Sequence, residues 1–261
     1  MKLAVSNIAW PAERNAEIYK FLSGHNFQGL EIAPTRIFPD APYAKLKQAE
    51  IFARELREEY GLEIASVQSI WHGVGECIFG TAAERVKLLG YTRRAIDFAR
   101  AVGCANLVFG CPRNRVVPAG LADYMPVAVD FFGAIGEHAA ACGACVAIEP
   151  NPPIYGTNFI NTHAEAFELC RAVNSPGIKV NADLGALIYN GESLASLREN
   201  LSLVNHVHVS EPYLAPIERR ELHGELKNLG YGKYISVEMA RLDDMALLKQ
   251  ILVYVEDCVI K

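Results

Sequence analysis

The sequence predicts an α/β fold, a single (β/α)8 TIM barrel spanning residues 1–261. Three observations lead there. Eight short apolar runs alternate with stretches whose apolar positions recur every three or four residues, the rhythm of strand and crossover helix. The repeat length is about 30 residues, one βα unit, and no Pro/Ser-rich linker or low-complexity tract breaks it. Polar residues also collect at the C-terminal ends of the runs, the end of a barrel at which ligand chemistry is built.

The runs, in order, are KLAVSNIA (2–9), GLEIA (29–33), LEIASVQSI (62–70), ANLVFG (105–110), ACVAIEP (144–150), GIKVNAD (177–183), VNHVHVS (204–210) and YISVEMA (234–240). They are rich in Val, Ile, Ala and Leu without strict alternation, as expected for parallel strands covered by helices outside and packed within. Between them, Tyr43 to Tyr60, Ala82 to Val102, Tyr124 to Ala141 and Met245 to Val259 have helical periodicity. Thr81 with Glu84, and Thr162 with Glu165, have the form of a capping box that opens a helix. Gly61, Gly103 and Gly143 fall where a left-handed residue would end one.

Composition narrows the function classes. A hydrophobic content of 51% is enough for a large core, and a net charge of −5 argues against a nucleic-acid backbone or an anionic membrane as partner. The opening MKLAVSNIAWPAERN is too briefly apolar for a signal segment or a membrane span, so a cytoplasmic location is expected. The seven cysteines are odd in number and scattered, and are read as reduced thiols. Cys142 and Cys145 have a spacing used for zinc or redox work, but they straddle a helix end and a strand start with no second pair. Buried thiols are the simpler reading.

Glu149, Asp183, His208 and Glu238 sit near the ends of the last four runs, 34, 25 and 30 residues apart, so successive strands would deliver them to one mouth. Three carboxylates and an imidazole suit a divalent metal ion with positions left open for substrate, manganese ahead of zinc, cobalt or magnesium. A polyol ketone chelated there would lose a proton beside its carbonyl to give an enediolate. Glu149 and Glu238, on opposite arcs, form the expected catalytic pair. One removes the proton and the other returns it to the opposite face, giving epimerisation, or transfer between neighbouring carbons gives isomerisation. At any one position the competing reading is a carboxylate that caps a helix or pairs with an arginine. His206 points to the same side as His208, which is preferred as ligand because it lies nearer the C-terminal end.

Position at the same mouth makes Asn7, Gln68, Trp71 and Asn151 substrate-binding candidates, beside Trp10, His72 and Tyr155. Aromatic walls pack the carbon face of a sugar and amides read its hydroxyls, although core packing accounts for Trp10 and Trp71 equally well. His223, before the last run, is a further candidate for a hydroxyl contact or proton shuttle, against an exposed helix histidine. Arg113 and Arg115 in GCPRNR would meet a phosphate or carboxylate at the mouth, with surface charge the simpler reading.

The phrases VAIEPNPPIYGTNFINT, IKVNADLGAL, VNHVHVSEP and YGKYISVEM resemble the xylose-isomerase-like sugar phosphate isomerase/epimerase superfamily, which includes ketose 3-epimerases and inosose-metabolising enzymes. The resemblance implies Glu149, Asp183, His208 and Glu238 as metal ligands, Glu149 with Glu238 as acid/base pair, a small-molecule sugar or polyol substrate, and a homo-oligomer, since such relatives often pair. Two positions depart from it. Many relatives carry a histidine three residues after the aspartate ligand, where this chain has Ala186, and many ketose 3-epimerases an arginine six residues after the histidine ligand, where it has Leu214. These point to a different polyol or a repurposed pocket. The expected function is a metal-dependent isomerase or epimerase of a sugar, keto-sugar or cyclitol. The alternatives are a polyol dehydratase or lyase on the same fold, and a non-catalytic sugar-binding or accessory subunit. Abasic-site DNA cleavage, known for a fold relative with several zinc ions, is disfavoured by the seven histidines and the acidic surface.

Overall fold

A computed structural model describes residues 1–260. Eight strands form it: β1 (Lys2–Ser6), β2 (Phe27–Ile32), β3 (Glu63–Val67), β4 (Asn106–Phe109), β5 (Cys145–Ile148), β6 (Ile178–Asp183), β7 (Val204–Val209) and β8 (Tyr234–Val237). They close into a barrel in sequence order, every pair parallel, with β1 meeting β8 through Leu3 opposite Ile235 and Val5 opposite Val237. Each strand lies within the apolar run that predicts it, apart from β2, which starts two residues earlier at Phe27.

The helices are α1 (Asn15–Ser23), α2 (Pro34–Ile37), α3 (Leu46–Tyr60), α4 (Ala82–Ala101), α5 (Tyr124–Ala141), α6 (His163–Val173), α7 (Leu184–Asn190), α8 (Leu194–Glu199), α9 (Glu221–Glu225) and α10 (Met245–Val259). Both capping boxes form, Thr81 opening α4 and Thr162 opening α6, each with its glutamate reaching back to the cap amide. Gly61, Gly103 and Gly143 take the left-handed φ of 70°, 71° and 69° that ends a helix. No helix among the described residues is long and apolar enough to cross a membrane.

The core lies between the strands and the helices. Leu3, Val5, Leu30, Ile32, Val146, Ile148, Val207, Val209, Ile235 and Val237 alternate along their strands and pack outward against the helical layer. The residues between them face into the barrel and are small or polar. Gln68 reaches Ser6 and Glu31, Asn106 bonds Ser66, and His206 bonds Ser236. The expectation of strands without alternation therefore fails in the interior, because a barrel that carries a polar mouth continues its polar network down the inner face. Gly29 belongs to this packing. A Cβ there would stand 2.7 Å from Ala65 Cβ and from Tyr234 Cε1, so only glycine lets the strands approach.

Candidate metal centre

Glu149 and Glu238 each follow a strand by one residue, yet the ladder extends to them. The Glu149 amide donates to the Phe109 carbonyl at 3.0 Å and the Glu238 amide to the Val209 carbonyl at 2.9 Å. That pins both backbones at the rim and aims both side chains inward beside Asp183 of β6 and His208 of β7. Each of the four offers a ligand atom, and these atoms lie within 4.8 Å of one another. His208 Nδ1 is the hub: 2.9 Å from Glu149 Oε1, 3.0 Å from Glu238 Oε2 and 3.8 Å from Asp183 Oδ2.

Two residues within the apolar runs set that geometry and were not foreseen. Glu31 of β2, fully buried, lies 3.0 Å from His208 Nε2 and 3.3 Å from His206 Nε2. With Nε2–H donating to Glu31, the nitrogen turned toward the three carboxylates is Nδ1, which would give up its proton to serve as a metal ligand. Asn181, two residues before Asp183 and so on the same face of β6, donates to Glu149 Oε1 at 2.7 Å. The signal for both was a polar residue inside an apolar strand.

Asp183 is doubly tethered. Its Oδ1 accepts the Ala186 amide at 2.6 Å as the N-cap of α7, and its Oδ2 accepts the Ser210 hydroxyl. The capping role weighed for such carboxylates is thus realised here, without turning the side chain away from the cluster.

Electrostatics favour a cation at this point. Burial, followed by the neighbouring Glu149 charge, pushes the Asp183 carboxyl up to about 7, and burial raises Glu238 as well. Burial acts against the charged His208 ring, but the Glu238 and Glu31 charges and the hydrogen bonds that the ring donates to Glu149 and Glu238 outweigh it and carry the imidazole well above its ordinary value. Burial also works against ionised Glu149, and the His208 hydrogen bond and charge, with help from Asn151, overcome it and lower the carboxyl. Crowded carboxylates that retain protons are short of positive charge, and the donor set of three carboxylates and one imidazole fits a divalent ion.

A cavity of about 210 Å³ opens above the cluster, lined by Gln68, Asn151, Tyr155 and Leu214 with Glu149, Asp183 and Glu238. Two of the substrate-binding candidates, Gln68 and Asn151, are therefore at the cavity wall. The other three are not among its lining residues. Asn7 accepts the Ala33 amide at 2.9 Å and ties the end of β1 to that of β2. Trp71 is buried, donates to Thr92 Oγ1 at 2.9 Å and packs edge-on to Phe109. His223 is buried in α9 with Nδ1 3.1 Å from Tyr254 OH. Trp10 likewise serves the core, donating to Asn15 Oδ1.

Arg115 corrects the surface reading of its loop. It is fully buried with its guanidinium over the Phe109 ring, and burial pushes it down to about 10. Its Nη2 donates to the Glu149 carbonyl at 2.9 Å and to Asn151 Oδ1 at 2.7 Å, which turns Asn151 Nδ2 toward Glu149 Oε2 at 3.0 Å. Arg115 thereby orients a catalytic candidate from behind. Gly110 clears the space in front, since a Cβ there would stand 2.6 Å from the same Oε2. Leu214 lines the cavity from a left-handed backbone with φ 54°, next to Tyr213 at φ 62°.

No curated protein sequence matches the chain. Solved structures resemble it in fold. The apo 3-keto-D-glucoside 4-epimerase of E. coli has a TM-score of 0.77 at 20% identity, over 99% of this chain and 100% of that one. D-psicose 3-epimerase of Clostridium cellulolyticum H10, solved with D-tagatose, has a TM-score of 0.77 at 14% identity, over 99% and 96%. The zinc-bound IolI protein has a TM-score of 0.74 at 16% identity, over 99% and 98%. A family model described as the xylose isomerase-like TIM barrel matches residues 20–251, most of the closed barrel just described, and the chain belongs to that family.

Proposed function

We propose that this protein is a single-domain, divalent-metal-dependent isomerase or epimerase of a sugar, keto-sugar or cyclitol, with Glu149, Asp183, His208 and Glu238 as metal ligands and Glu149 and Glu238 as acid/base pair. The observation that carries the reading is His208 Nδ1 standing 2.9 Å from one glutamate and 3.0 Å from the other at the floor of a small cavity. Structural neighbours that act on keto-sugars, and one that binds zinc, support it. Manganese or zinc both suit the donor set. The ion, when bound, supplies Lewis-acid polarisation of a substrate carbonyl and its neighbouring hydroxyl.

The remaining work falls to the chain. Glu149 and Glu238, delivered by β5 and β8, flank the substrate plane. A carboxylate oxygen of one takes the proton from the carbon beside the carbonyl, and the other glutamate returns a proton to the opposite face. Gln68 and Asn151 offer amides to hydroxyls, and Asn151 in addition orients Glu149 through Oε2. Leu214 puts an apolar group in the wall. A volume of about 210 Å³ above the cluster has room for one sugar ring.

The test is solvent deuterium exchange into a panel of ketoses and keto-cyclitols, with and without added Mn²⁺ or Zn²⁺. Metal-dependent exchange at conserved product mass is expected, and Glu238→Gln should lose it by about 100-fold or more, as for removal of a general acid or base. Exchange that survives in Glu238→Gln, or a product lighter by one water, would overturn the assignment.

A further inference from the structure

A second cluster of metal-binding side chains lies on the outer helical layer, between α4 and α5, where α5 ends just before β5 begins, whereas the mouth gathers where β5 to β8 end. Asp97 projects from α4, while His138 and Cys142 lie four residues apart at the C-terminal end of α5 and so share one face. Their ligand atoms lie within 4.8 Å of one another. His138 Nε2 is 3.3 Å from Asp97 Oδ1, and Cys142 Sγ is 3.9 Å from each of those atoms.

Those separations nearly match a tetrahedral ion. With bonds of about 2.0–2.1 Å to nitrogen or oxygen and about 2.3 Å to sulfur, ligand N and O atoms stand roughly 3.3 Å apart and sulfur roughly 3.6 Å from either. The nitrogen–oxygen pair is already there, and the sulfur has only a few tenths of an ångström to move. One thiolate and one carboxylate balance a double positive charge. His138 and Asp97 side chains are 30% and 39% exposed, which gives an ion a path in and a water access to the fourth position. Cys145 is not that fourth ligand, because it is buried in β5 with Sγ 3.7 Å from Asn106 Oδ1.

We propose that Asp97, His138 and Cys142 form a second metal site for a thiophilic divalent ion, zinc by preference, that clamps the C-terminal end of α5 to α4. Its thiolate distinguishes it from the mouth, whose oxygen-rich donor set holds no sulfur. The two sites therefore report separately, and the clamp does not depend on the proposed catalytic role.

Cobalt(II) titration of the chelator-treated full chain reads the difference. A thiolate-to-cobalt charge-transfer band in the near ultraviolet is expected, retained in Glu149→Gln, lost in Cys142→Ser and weakened in His138→Ala. As a second readout on the unaltered protein, zinc should slow alkylation of Cys142, followed by peptide mass, by about tenfold or more, since a coordinated thiolate is a blocked nucleophile. Absence of the band at saturating cobalt, its survival in Cys142→Ser, or an alkylation rate indifferent to zinc would each overturn the site and leave an ordinary ion pair beside a free thiol.

Discussion

Glu31 shows how a single buried side chain governs a centre it does not join. Burial opposes its charge, but the His208 and His206 charges and hydrogen bonds prevail, and its carboxyl titrates well below the usual range. It is therefore a fixed anion beneath His208. Glu31→Gln keeps the shape, removes that charge, and frees the ring to turn or change tautomer. Metal affinity at the mouth should fall by about 10- to 100-fold, the usual effect of losing such a partner. Competition against a chelating dye measures it, and an unchanged affinity would show that Glu31 serves only the barrel packing. The four residues of the mouth were legible because each ends an apolar run, where a polar side chain has no reason to be unless it faces the rim. Glu31 was not, since its partner lies 177 residues away and nothing local marks the pairing. Arg115 was misread for a related reason: a Pro-Arg-Asn-Arg loop looks solvated until the Phe109 face and the Glu149 carbonyl are seen to bury it.

At the scale of elements, local chemistry decided what could be read. Thr81 accepts the Glu84 amide at 3.2 Å while Glu84 Oε2 accepts the Thr81 amide at 2.7 Å, so two orphan donors at the start of α4 are satisfied by residues three apart. Such reciprocity is visible in sequence, as is the apolar period of α3, α5 and α10. Thr81→Ala removes one acceptor at an exposed helix start. Because Thr81 is not among the residues lining the cavity, the change should cost about 1 kcal/mol of stability without altering turnover. Denaturant unfolding and an activity assay on the same preparation check both halves, and a loss of turnover at full stability would mean that α4 has a part in the site. The short helices α2, α7, α8 and α9 escaped the reading because four to seven residues are too few for a period. Two of them carry site consequences: α7 draws its cap from Asp183, and α9 takes His223 into a buried contact with Tyr254.

The barrel as a whole brings charges together that the chain keeps apart, and its pH response follows from that convergence. Without an ion, Asp183 is raised from 3.8 to about 7, and Glu238 is also raised. A group whose folded form holds its proton more tightly contributes stability fully present below its unfolded value, and loses it as pH rises through the folded value. His208, raised above 6.5, has the same sign at higher pH. Glu149, lowered, runs the other way, its contribution present above the ordinary carboxylate value and lost only as pH falls through its depressed one. Between about pH 5 and pH 8 the chelated protein should therefore weaken as these protons leave. A divalent ion takes over their electrostatic role and competes with them, so it binds best where they are absent. The rise in Tm on adding Mn²⁺ to chelator-treated protein should accordingly be larger at about pH 8 than at about pH 5. Manganese is the right probe, since its preference for oxygen leaves the Cys142 cluster aside. Taking the difference at each pH also cancels the His163–Glu192 and His25–Glu256 pairs, which are present with or without the ion. Calorimetry at the two pH values gives the answer, and an increment that is flat, or larger in acid, would mean that the ion does not displace the protons held among Glu149, Asp183, His208 and Glu238.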